Sequence, residues 1–384
     1  DILRNLEKDQ LYLQAAELDS GNLKVAIVNN KYNSQEDVFA HTNKVTGDLA
    51  EIHELNISSL ILTNLHSGIE TGTIIGRVNS PCNPQAITQI EYYPASNESR
   101  NYAFKPTLSF PEIYNEIKPH YIYRYADPDR FFAGGLDIQL ESEIKFSANT
   151  YITSTINYQA FNSFDRLIHK PYSNLPHVRT DFVLYARERG DFYLDALQLH
   201  SDMKIANDHY LKLTGGMFEM MFGGYGLEYY WKPFTRNLSI GFNVYNVKQR
   251  DFKQGLHFSK YNLTTGHSNI IYFHEDTGIQ VDLSLGKYLA GDKGYTLDFS
   301  RTFKSHHKIG FYFTRTNISK IEYGEGSFDK GFYFEFPINF IKGISEIIIQ
   351  PLTRDGGAKL KTSNSLISSL SYGAANEYNY FVGE

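Results

Sequence analysis

The pattern of hydrophobic and polar positions changes part-way along the chain. From there on, apolar and polar residues alternate with a period of two, which is typical of β-strands that have two different faces. The segment GLDIQLESEIKF (135–146) places Leu136 and Ile138 on one face, and Asp137 and Glu141 on the other. The alternation continues along the rest of the chain and predicts an antiparallel sheet of about 12 strands, within a range of about 12–14.

Long connections between the predicted strands raise a question about the strand map. The alternation predicts strands in YITSTINYQA (151–160), HVRTDFVLYAR (177–187), NLSIGFNVYNV (237–247), GIQVDLSLGKY (278–288) and KIGFYFTRT (308–316). The long connections are 163–176, 250–262 and 317–329. In a membrane barrel the longer loops lie on the external side, but this map does not place all three together. Either a strand is split wrongly near 215–226, or one long segment lies on the other side or folds into the lumen.

Segment length and composition favour a membrane barrel. The alternating segments run to about 10–14 residues, at or above the ~9–11 that a tilted transmembrane strand needs. Aromatic residues form 15% of the chain, with 29 Tyr and 27 Phe, and yet the mean hydropathy is −0.39. A polar lumen inside an apolar outer surface accounts for both values. We therefore predict a mainly β fold, a transmembrane antiparallel β-barrel preceded by a small periplasmic α+β domain.

The two faces of each strand are predicted to meet different surroundings. Charges of both signs on the polar face suit a confined lumen, in which opposite charges lie close together. The residues predicted to face lipid are Phe332, Phe334, Phe336, Ile338, Leu283 and Phe242. The candidates for lumen lining or glycan contact are Asp137, Glu141, Arg179, Asp181, Arg187, Tyr323, Glu325, Glu335, Arg354 and Asp355. Ordinary packing and charge pairing are the alternative explanation for each candidate.

The first part of the chain has a different pattern. Residues 1–80 predict a small α+β domain of order ββαββ, with a helix from Gln35 to Thr46 that is terminated by Gly47. Residues 81–130 are rich in proline, which breaks regular elements, and predict a connector. Residues 131–384 form the predicted barrel. We find no phosphate-binding loop or catalytic cluster in the first domain and expect it to pack or dock.

Composition and motifs give little support to catalysis, metal binding or a cofactor. The net charge of −6 is too small to indicate nucleic-acid binding, and Cys82 is the only cysteine, which excludes an internal disulfide. No motif joins a histidine to a serine as base and nucleophile. A carboxylate pair for glycoside cleavage among Asp137, Glu141 and Asp181 would need a defined separation, and charged lumen lining is the commoner explanation. The chain begins at Asp1, so we expect a processed or trimmed product.

Long motifs spread over the chain resemble a known family. They are SNLPHVRTDF (173–182), GGMFEMMFGGYGLEYYWKP (215–233), GKYLAGDKGYTLDFSR (286–301), EYGEGSFDKGFYF (322–334) and PLTRDGG (351–357). In this order they are similar to the YjbH/GfcD family of outer-membrane β-barrel proteins, which are encoded in exopolysaccharide and group 4 capsule operons. The ββαββ order also resembles the periplasmic domain of that family.

The resemblance implies a location and partners. It implies the outer membrane of a Gram-negative bacterium, with the N-terminal domain in the periplasm. The implied partners are outer-membrane lipids, the exopolysaccharide, and a periplasmic companion and a lipoprotein from the same operon. Family members are typically longer at the N terminus and carry a second barrel there, so this chain resembles one fragment of a two-barrel protein. We expect no cofactor and no metal.

Three functional hypotheses follow from the sequence. In the first, the protein is an outer-membrane β-barrel that assists export or assembly of exopolysaccharide or capsule as a conduit or scaffold, without catalysis. In the second, it is an outer-membrane enzyme that modifies glycan or lipid, which a lumenal carboxylate pair or Ser/His dyad would favour. In the third, it is a soluble carbohydrate-binding β-sandwich, which recovery without detergent would favour.

Overall fold

The chain folds into two β-sheets with few helices. The computed structural model describes residues 2–32, 34–66, 68–78, 90–94, 102–104, 109–125, 129–167, 173–305, 307–319, 322, 328–337, 346–349 and 354–371. Within these ranges, no helix combines the length and the apolar character needed to span a membrane.

The smaller sheet belongs to an N-terminal α+β unit. Its elements are α1 (Ile2–Glu7), β1 (Leu11–Asp19), β2 (Asn22–Asn29), α2 (Gln35–Ile52), β3 (Ser59–His66), β4 (Ile69–Arg77) and β5 (Glu91–Pro94). The strand order is β1-β2-β3-β4-β5, with β2 and β3 parallel and the other pairs antiparallel. The predicted ββαββ order is confirmed, with α1 and β5 added at its two ends.

The helix α2 covers the core of this unit. Val38 and Phe39 of the helix pack with strand residues such as Val25 and Leu60, all at most 1% exposed. The helix continues past Gly47, where the sequence predicted its end, and stops at Ile52. Gly47 is itself buried within the helix. A helical glycine costs about 1 kcal/mol, and the burial of the apolar face of α2 outweighs that cost.

Over the residues that the structure describes, the larger sheet has 13 strands in chain order, each antiparallel to the next. Twelve of them have 9–17 residues and β18 has four. They are β6 (Glu112–Tyr125), β7 (Phe132–Ser147), β8 (Thr150–Asn162), β9 (Phe192–Ala206), β10 (His209–Met217), β11 (Phe222–Trp231), β12 (Leu238–Arg250), β13 (Phe258–His274), β14 (Ile279–Lys287), β15 (Lys293–Thr302), β16 (Lys308–Thr316), β17 (Asp329–Pro337) and β18 (Glu346–Ile349). Among the described residues no pairing joins β6 to β18, so a closed barrel is not observed.

A C-terminal segment, residues 354–371, demonstrates that the large sheet curves strongly. Ser363 accepts a hydrogen bond from Gln198 of β9, whereas a Cβ on Gly357 would lie 2.7 Å from Cγ2 of Thr314 on β16. From Gly357 to Ser363 an extended chain reaches at most about 20 Å. On a flat sheet β9 and β16 would lie about 34 Å apart, because neighbouring strands are spaced by about 4.8 Å. The sheet therefore curls around the segment, and we call the face toward it the concave face and the opposite face the outer face.

One predicted strand is wrong. In the segment 177–187 the chain forms an irregular stretch and then the helix α3 (Phe182–Glu188), which follows a 3-10 turn at Phe164–Arg166. Val183 and Ala186 are buried against Phe164, so the apolar residues fit a helical stripe as well as a strand. Because 177–187 is not a strand, the order of the strands places the connections 163–191, 251–257 and 317–328 at the same end of the sheet. The large sheet also begins earlier than predicted, at β6, inside the region predicted as a connector.

The two ends of the large sheet differ. We call the end with the three long connections the loop end. The opposite end carries the connections 148–149, 207–208, 232–237, 275–278 and 303–307, and we call it the turn end. The C-terminal segment runs from one to the other, because Asp355 contacts the β8–β9 connection and α4 (Leu366–Ser371) contacts β11.

Candidate functional site

The concave face of the large sheet is polar. Its side chains alternate along each strand with those of the outer face, and many of the polar ones are at least nine-tenths buried. They are Asp137, Gln139, Asn157, Gln198, His200, Asp202, Lys212, Thr214, Glu228, Ser239, Thr265, His267, Asn269, Gln280, Ser284, Thr296, Ser300, Lys308 and Thr314. Soluble proteins bury apolar residues instead, so the interior of this sheet has the opposite polarity.

The outer face is apolar and exposed. Large side chains with at least 40% exposure lie on it at Ile138, Ile156, Leu199, Leu213, Ile240, Phe242, Ile270, Tyr272, Leu285, Ile309, Phe311 and Phe332. They lie on nine of the strands between β7 and β17. A contiguous apolar surface of this extent marks contact with a partner or a membrane.

The outer face changes character toward the loop end. On β12 it carries Phe242 and Val244 and then the exposed polar residues Asn246 and Lys248. On β13 the outer face begins at the loop end with the exposed Phe258 and continues with the exposed polar residues Lys260, Asn262 and Thr264, whereas the inward-facing Leu263 packs in an apolar cluster with Val247. On these two strands most of the apolar outer face therefore lies toward the turn end.

Asp355 fixes the C-terminal segment at the loop end. Its side chain is 2% exposed, and its Oδ1 accepts hydrogen bonds from the backbone N–H groups of Val178, Arg179 and Thr180 at 2.8–3.0 Å. Its Oδ2 accepts one from Oγ1 of Thr180 at 2.8 Å. One carboxylate thus satisfies four donors of the β8–β9 connection, and hydrogen bonds to a charged acceptor are the strong ones.

Three further contacts hold the segment at this end. Oδ2 of Asp292 accepts the N–H of Gly357 at 2.9 Å. The carbonyl of Lys359 accepts a hydrogen bond from Nη2 of Arg179 at 2.7 Å, and Nη1 of Arg179 lies 3.0 Å from Oε1 of Glu219. Ala358 is fully buried in the apolar cluster at the loop end. The segment is therefore anchored by both charge and packing.

A second anchor lies near the turn end. Oε2 of Glu228, on β11, accepts hydrogen bonds from the N–H of Ile367 at 3.1 Å and from Oγ of Ser365 at 3.0 Å. The hydroxyl of Tyr245 donates to the other oxygen at 2.5 Å. Ile367 is 5% exposed and packs in a cluster with Tyr230. The segment therefore crosses the concave face with an anchor near each end.

Between the anchors, a cavity of about 300 Å³ separates the segment from β11–β14. Most of its walls are polar: Glu228, Asn243, Tyr245, Thr265, His267, Asn269, Asp282, Lys359, Lys361, Thr362, Ser365 and Ser368, with Leu360 and Ile367. Nζ of Lys359 donates to Oγ of Ser284 at 2.7 Å, beside Asp282. The cavity can hold a small polar molecule.

Buried ion pairs line the concave face outside the cavity. Nη2 of Arg189 lies 3.5 Å from Oδ2 of Asp137, and neither side chain is exposed. The hydroxyl of Tyr193 also donates to Asp137. Nζ of Lys212 lies 3.1 Å from Oδ1 of Asp202, with side chains 3% and 1% exposed. Buried charges need partners, and these pairs keep this face polar but electrically balanced.

The α+β unit docks on the turn end. A Cβ on Gly72 would lie 2.2 Å from the ring of Phe234, which packs against the core of the unit. The N–H of Gln35, at the start of α2, donates to Oε2 of Glu275 at 3.1 Å. Burial raises the pKa of the Glu275 carboxyl, and the hydrogen bond from Gln35 opposes that shift. His66 contacts Oγ of Ser369 at 3.1 Å, so the unit touches the C-terminal segment directly.

The predicted lumen candidates lie in different places. Asp137 is on the concave face, and Glu141 binds Nζ of Lys118 at 2.7 Å with its side chain 37% exposed. Glu335 pairs across strands with Lys308. Asp355 and Arg179 meet in the loop-end anchor, and Arg354 beside them is half-buried. Tyr323 and Glu325 lie outside the described residues.

Two candidates were placed on a strand that does not exist. Asp181 precedes α3, where its Oδ1 lies 2.9 Å from Nδ1 of His177, and Arg187 is exposed on that helix. The predicted strand 177–187 would have pointed both side chains into the interior, and neither side chain lies there. The residues predicted to face lipid lie on the outer face: Phe332, Phe336 and Phe242 are exposed and Phe334 and Leu283 are half-buried, while Ile338 lies outside the described residues.

Arg250 is a residue that the sequence did not indicate. Its side chain is 1% exposed and donates to the carbonyls of Leu194, Asp195, Glu219 and Gln254 at 2.6–2.9 Å. It closes the loop end between β9, β11 and β12. Backbone carbonyls leave no motif, so no sequence pattern predicts such a site. His267 and Asn269 lie in TTGHSN (264–269), which is polar at every position except its glycine, so alternation does not show which face they take.

The part of the chain that the structure describes contains no cluster of three or more His, Cys, Asp or Glu side chains suited to a metal ion. The polar groups of the concave face instead pair with one another. The arrangement can therefore bind polar molecules.

Comparisons with known proteins agree on one family. The family model described as "Exopolysaccharide biosynthesis protein YbjH" matches residues 1–371. The chain is 33% identical over 281 residues to the "Uncharacterized lipoprotein YjbH" of Escherichia coli (strain K12). That match covers 70% of the chain and 39% of the relative, so the chain spans well under half of the relative's length.

Proposed function

The chain belongs to the YjbH exopolysaccharide biosynthesis family, and from this premise we propose that it is an outer-membrane β-barrel that assists the export or assembly of exopolysaccharide. We propose that it acts as a scaffold with a filled lumen and without catalysis. Because the chain is shorter than its relative, the partners of the whole protein are part of this proposal: outer-membrane lipids, the exopolysaccharide, and periplasmic and lipoprotein companions.

The inverted polarity of the large sheet is the observation that carries the proposal. Apolar side chains such as Phe242 and Phe332 are 45% and 58% exposed, while Asp202 and Lys212 are nearly fully buried. Burying one large apolar side chain contributes about 1.5–3 kcal/mol, and a water-soluble protein would forfeit this at each exposed position. In lipid the exposed apolar side chains do not carry that cost, and the polar side chains of the interior can face water or pair with one another.

The connections support an orientation. The longer connections of outer-membrane barrels lie outside the cell and the short turns lie in the periplasm. In this chain the connections 163–191, 251–257 and 317–328 share the loop end, and the α+β unit docks on the turn end. We therefore assign the α+β unit to the periplasm. The relative is named a lipoprotein of Escherichia coli, and this name supports an envelope location for the chain as well.

The C-terminal segment favours a scaffold over a passive conduit. Residues 354–371 cross the concave face and are fixed at Asp355 and at Glu228. A polysaccharide chain would have to displace this segment in order to pass. We propose that the barrel, closed by pairing of its first and last strands, carries the segment as a plug and presents its periplasmic unit to other components of the assembly.

Membrane fractionation tests the proposal. We expect the chain to remain in the outer-membrane fraction after a carbonate wash and to require detergent for extraction. We also expect cells that lack the gene to secrete less exopolysaccharide and to recover when the gene is restored. Recovery from buffer without detergent would favour the soluble carbohydrate-binding alternative, and unchanged exopolysaccharide in the deletion strain would reject the functional assignment.

A further inference from the structure

The cavity between the C-terminal segment and β11–β14 has two unsatisfied polar atoms in its wall. No described protein group forms a hydrogen bond with Nε2 of His267 or with Oδ1 of Asn269, and both residues are 6% exposed. Buried polar atoms without a partner are rare and costly. Both residues line the cavity of about 300 Å³. A molecule in the cavity would satisfy both.

The orientation of the Asn269 amide follows from its neighbours. Nδ2 donates to Oγ of Ser284 at 2.8 Å and lies 3.4 Å from Oδ1 of Asp282. The carboxylate of Asp282 can only accept, so the nitrogen faces it and the amide oxygen is left as a free acceptor. His267 stands two residues away on the same face of β13, with its ring 4.7 Å from that of Tyr288. This aromatic contact holds the imidazole without using its nitrogens.

The charges around the cavity favour an uncharged ligand. Glu228 and Asp282 are balanced by Lys359 and Lys361, and all four line the cavity. The Glu228 carboxylate already accepts three hydrogen bonds, and Nζ of Lys359 already donates one. An extra ion would add an unpaired charge to this balanced wall, which is costly inside a protein. A ligand rich in hydroxyl groups both donates and accepts, and therefore suits the free groups.

From these observations we propose that the cavity is a binding site for one neutral sugar ring of the exopolysaccharide. The volume lies at the lower limit of small-molecule sites, about 300 Å³, which is the space of ~10 water molecules. His267 and Asn269 bind hydroxyl groups, and the C-terminal segment forms the opposite wall. This inference rests on the proposed function, because it takes the ligand class from the exopolysaccharide.

Saturation-transfer NMR tests the site with D-glucose, D-galactose and N-acetyl-D-glucosamine as probes. The full chain is kept in lauryldimethylamine oxide, a detergent without a sugar headgroup that would compete. We expect saturation transfer to at least one probe. The variant His267→Phe keeps the ring beside Tyr288 and removes the nitrogens, so it should weaken that binding about fivefold to tenfold, the effect of losing one or two hydrogen bonds.

A matched control separates the site from the rest of the concave face. Gln280 is 4% exposed and also has an unpaired amide oxygen, but it lies outside the cavity lining. Gln280→Met should leave binding unchanged. Asn269→Leu gives a second test of the site if His267→Phe does not fold. Saturation transfer that survives both site variants, or that is lost equally in the control, would overturn the proposal, as would its absence with all three sugars.

The outcome is distinguishable from failure of the proposed function. If none of the sugars binds while the chain still requires detergent and the deletion strain still loses exopolysaccharide, only the sugar site is rejected. If a sugar binds with the expected variant effects but exopolysaccharide does not depend on the gene, the site stands and the functional assignment is rejected.

Discussion

Removing the Asp355 carboxylate should release the C-terminal segment at the loop end while the strands remain in place. The substitution Asp355→Ala leaves the N–H groups of Val178, Arg179 and Thr180 and the hydroxyl of Thr180 without their acceptor. A hydrogen bond to a charged group contributes about 1.5–3 kcal/mol. Once the segment opens, water can hydrogen-bond to the four donors. We therefore expect the free energy of opening the segment to fall by about 3 kcal/mol, which is less than the sum of the four hydrogen bonds.

Cysteine labelling measures this opening. Ala358 is fully buried beside the anchor, so Ala358→Cys in a Cys82→Ser background reacts with maleimide only when the segment opens. A loss of about 3 kcal/mol should speed labelling about a hundredfold, since each ~1.4 kcal/mol is tenfold. Asp355→Asn keeps one acceptor oxygen, so its labelling rate should lie between the rates of the unsubstituted protein and of Asp355→Ala. Asp191→Ala removes an exposed aspartate of the same connection and should have no effect.

Labelling at the control rate in Asp355→Ala would refute this account of the anchor. It would mean that packing around Ala358 alone holds the segment, and that the four hydrogen bonds to Asp355 contribute little to its position. Faster labelling together with loss of the folded sheet would instead mean that the segment is part of the core that holds the strands together.

Three further predictions concern the outer face and the α+β unit. Phe332→Arg should cost roughly 2–4 kcal/mol in folding into lipid bilayers, because a charged side chain would face the hydrocarbon. Gly72→Val should detach the α+β unit, seen as protease cleavage between the two parts, because a Cβ there meets the ring of Phe234 at 2.2 Å. Asp9→Asn should lower the stability of the unit by about 1 kcal/mol at pH 7. The hydrogen bond from Lys31 lowers the pKa of Asp9, so this difference is present above the unfolded-state pKa of Asp9 and disappears as the pH falls through its folded-state pKa.

Each of the three has a control and a contrary outcome. Asn246→Arg, on the polar part of the outer face, should insert normally, and equal costs at the two positions would argue against a lipid-facing surface. The double variant Gly72→Val with Phe234→Ala should restore docking, and failure to do so would mean that another contact is disrupted. Asp19→Asn, with its side chain 57% exposed, should lower the stability of the unit much less than Asp9→Asn does. An equal loss of stability in the two variants would contradict a specific contribution of Asp9.

Alternation along strands was predictable because it is local. The positions of Phe332 and Phe242 on the outer face and of Asp137 on the concave face follow from a period of two, whatever the partner strand is. The same rule failed at 177–187, because Val183 and Ala186 fit a helical stripe as well as a strand. Once that segment became a helix, the long connections fell at one end, which removes the conflict that the strand map had raised.

The C-terminal segment was not predictable in the same way. Asp355 was a candidate because of its motif, but its partners at 178–180 are remote in sequence and contribute backbone N–H groups, which carry no residue signature. The carbonyl partners of Arg250 are hidden for the same reason. His267 and Asn269 lie in a stretch that is polar on both faces, so alternation does not place them, and only the position of the segment shows that they face a cavity.

Lipid accessibility of the outer face is the most direct test of the central claim that the large sheet is a membrane barrel. Nitroxide labels are attached at Phe242→Cys and Phe332→Cys, each in a Cys82→Ser background, and the protein is placed in liposomes. The spin relaxation of both labels should be accelerated by oxygen, which dissolves in lipid, and little affected by a water-soluble nickel chelate. A label at Asn246→Cys, nearer the loop end, should show the reverse. Equal access of the chelate to positions 242, 332 and 246 would contradict the account, because the apolar outer face would then lie in water.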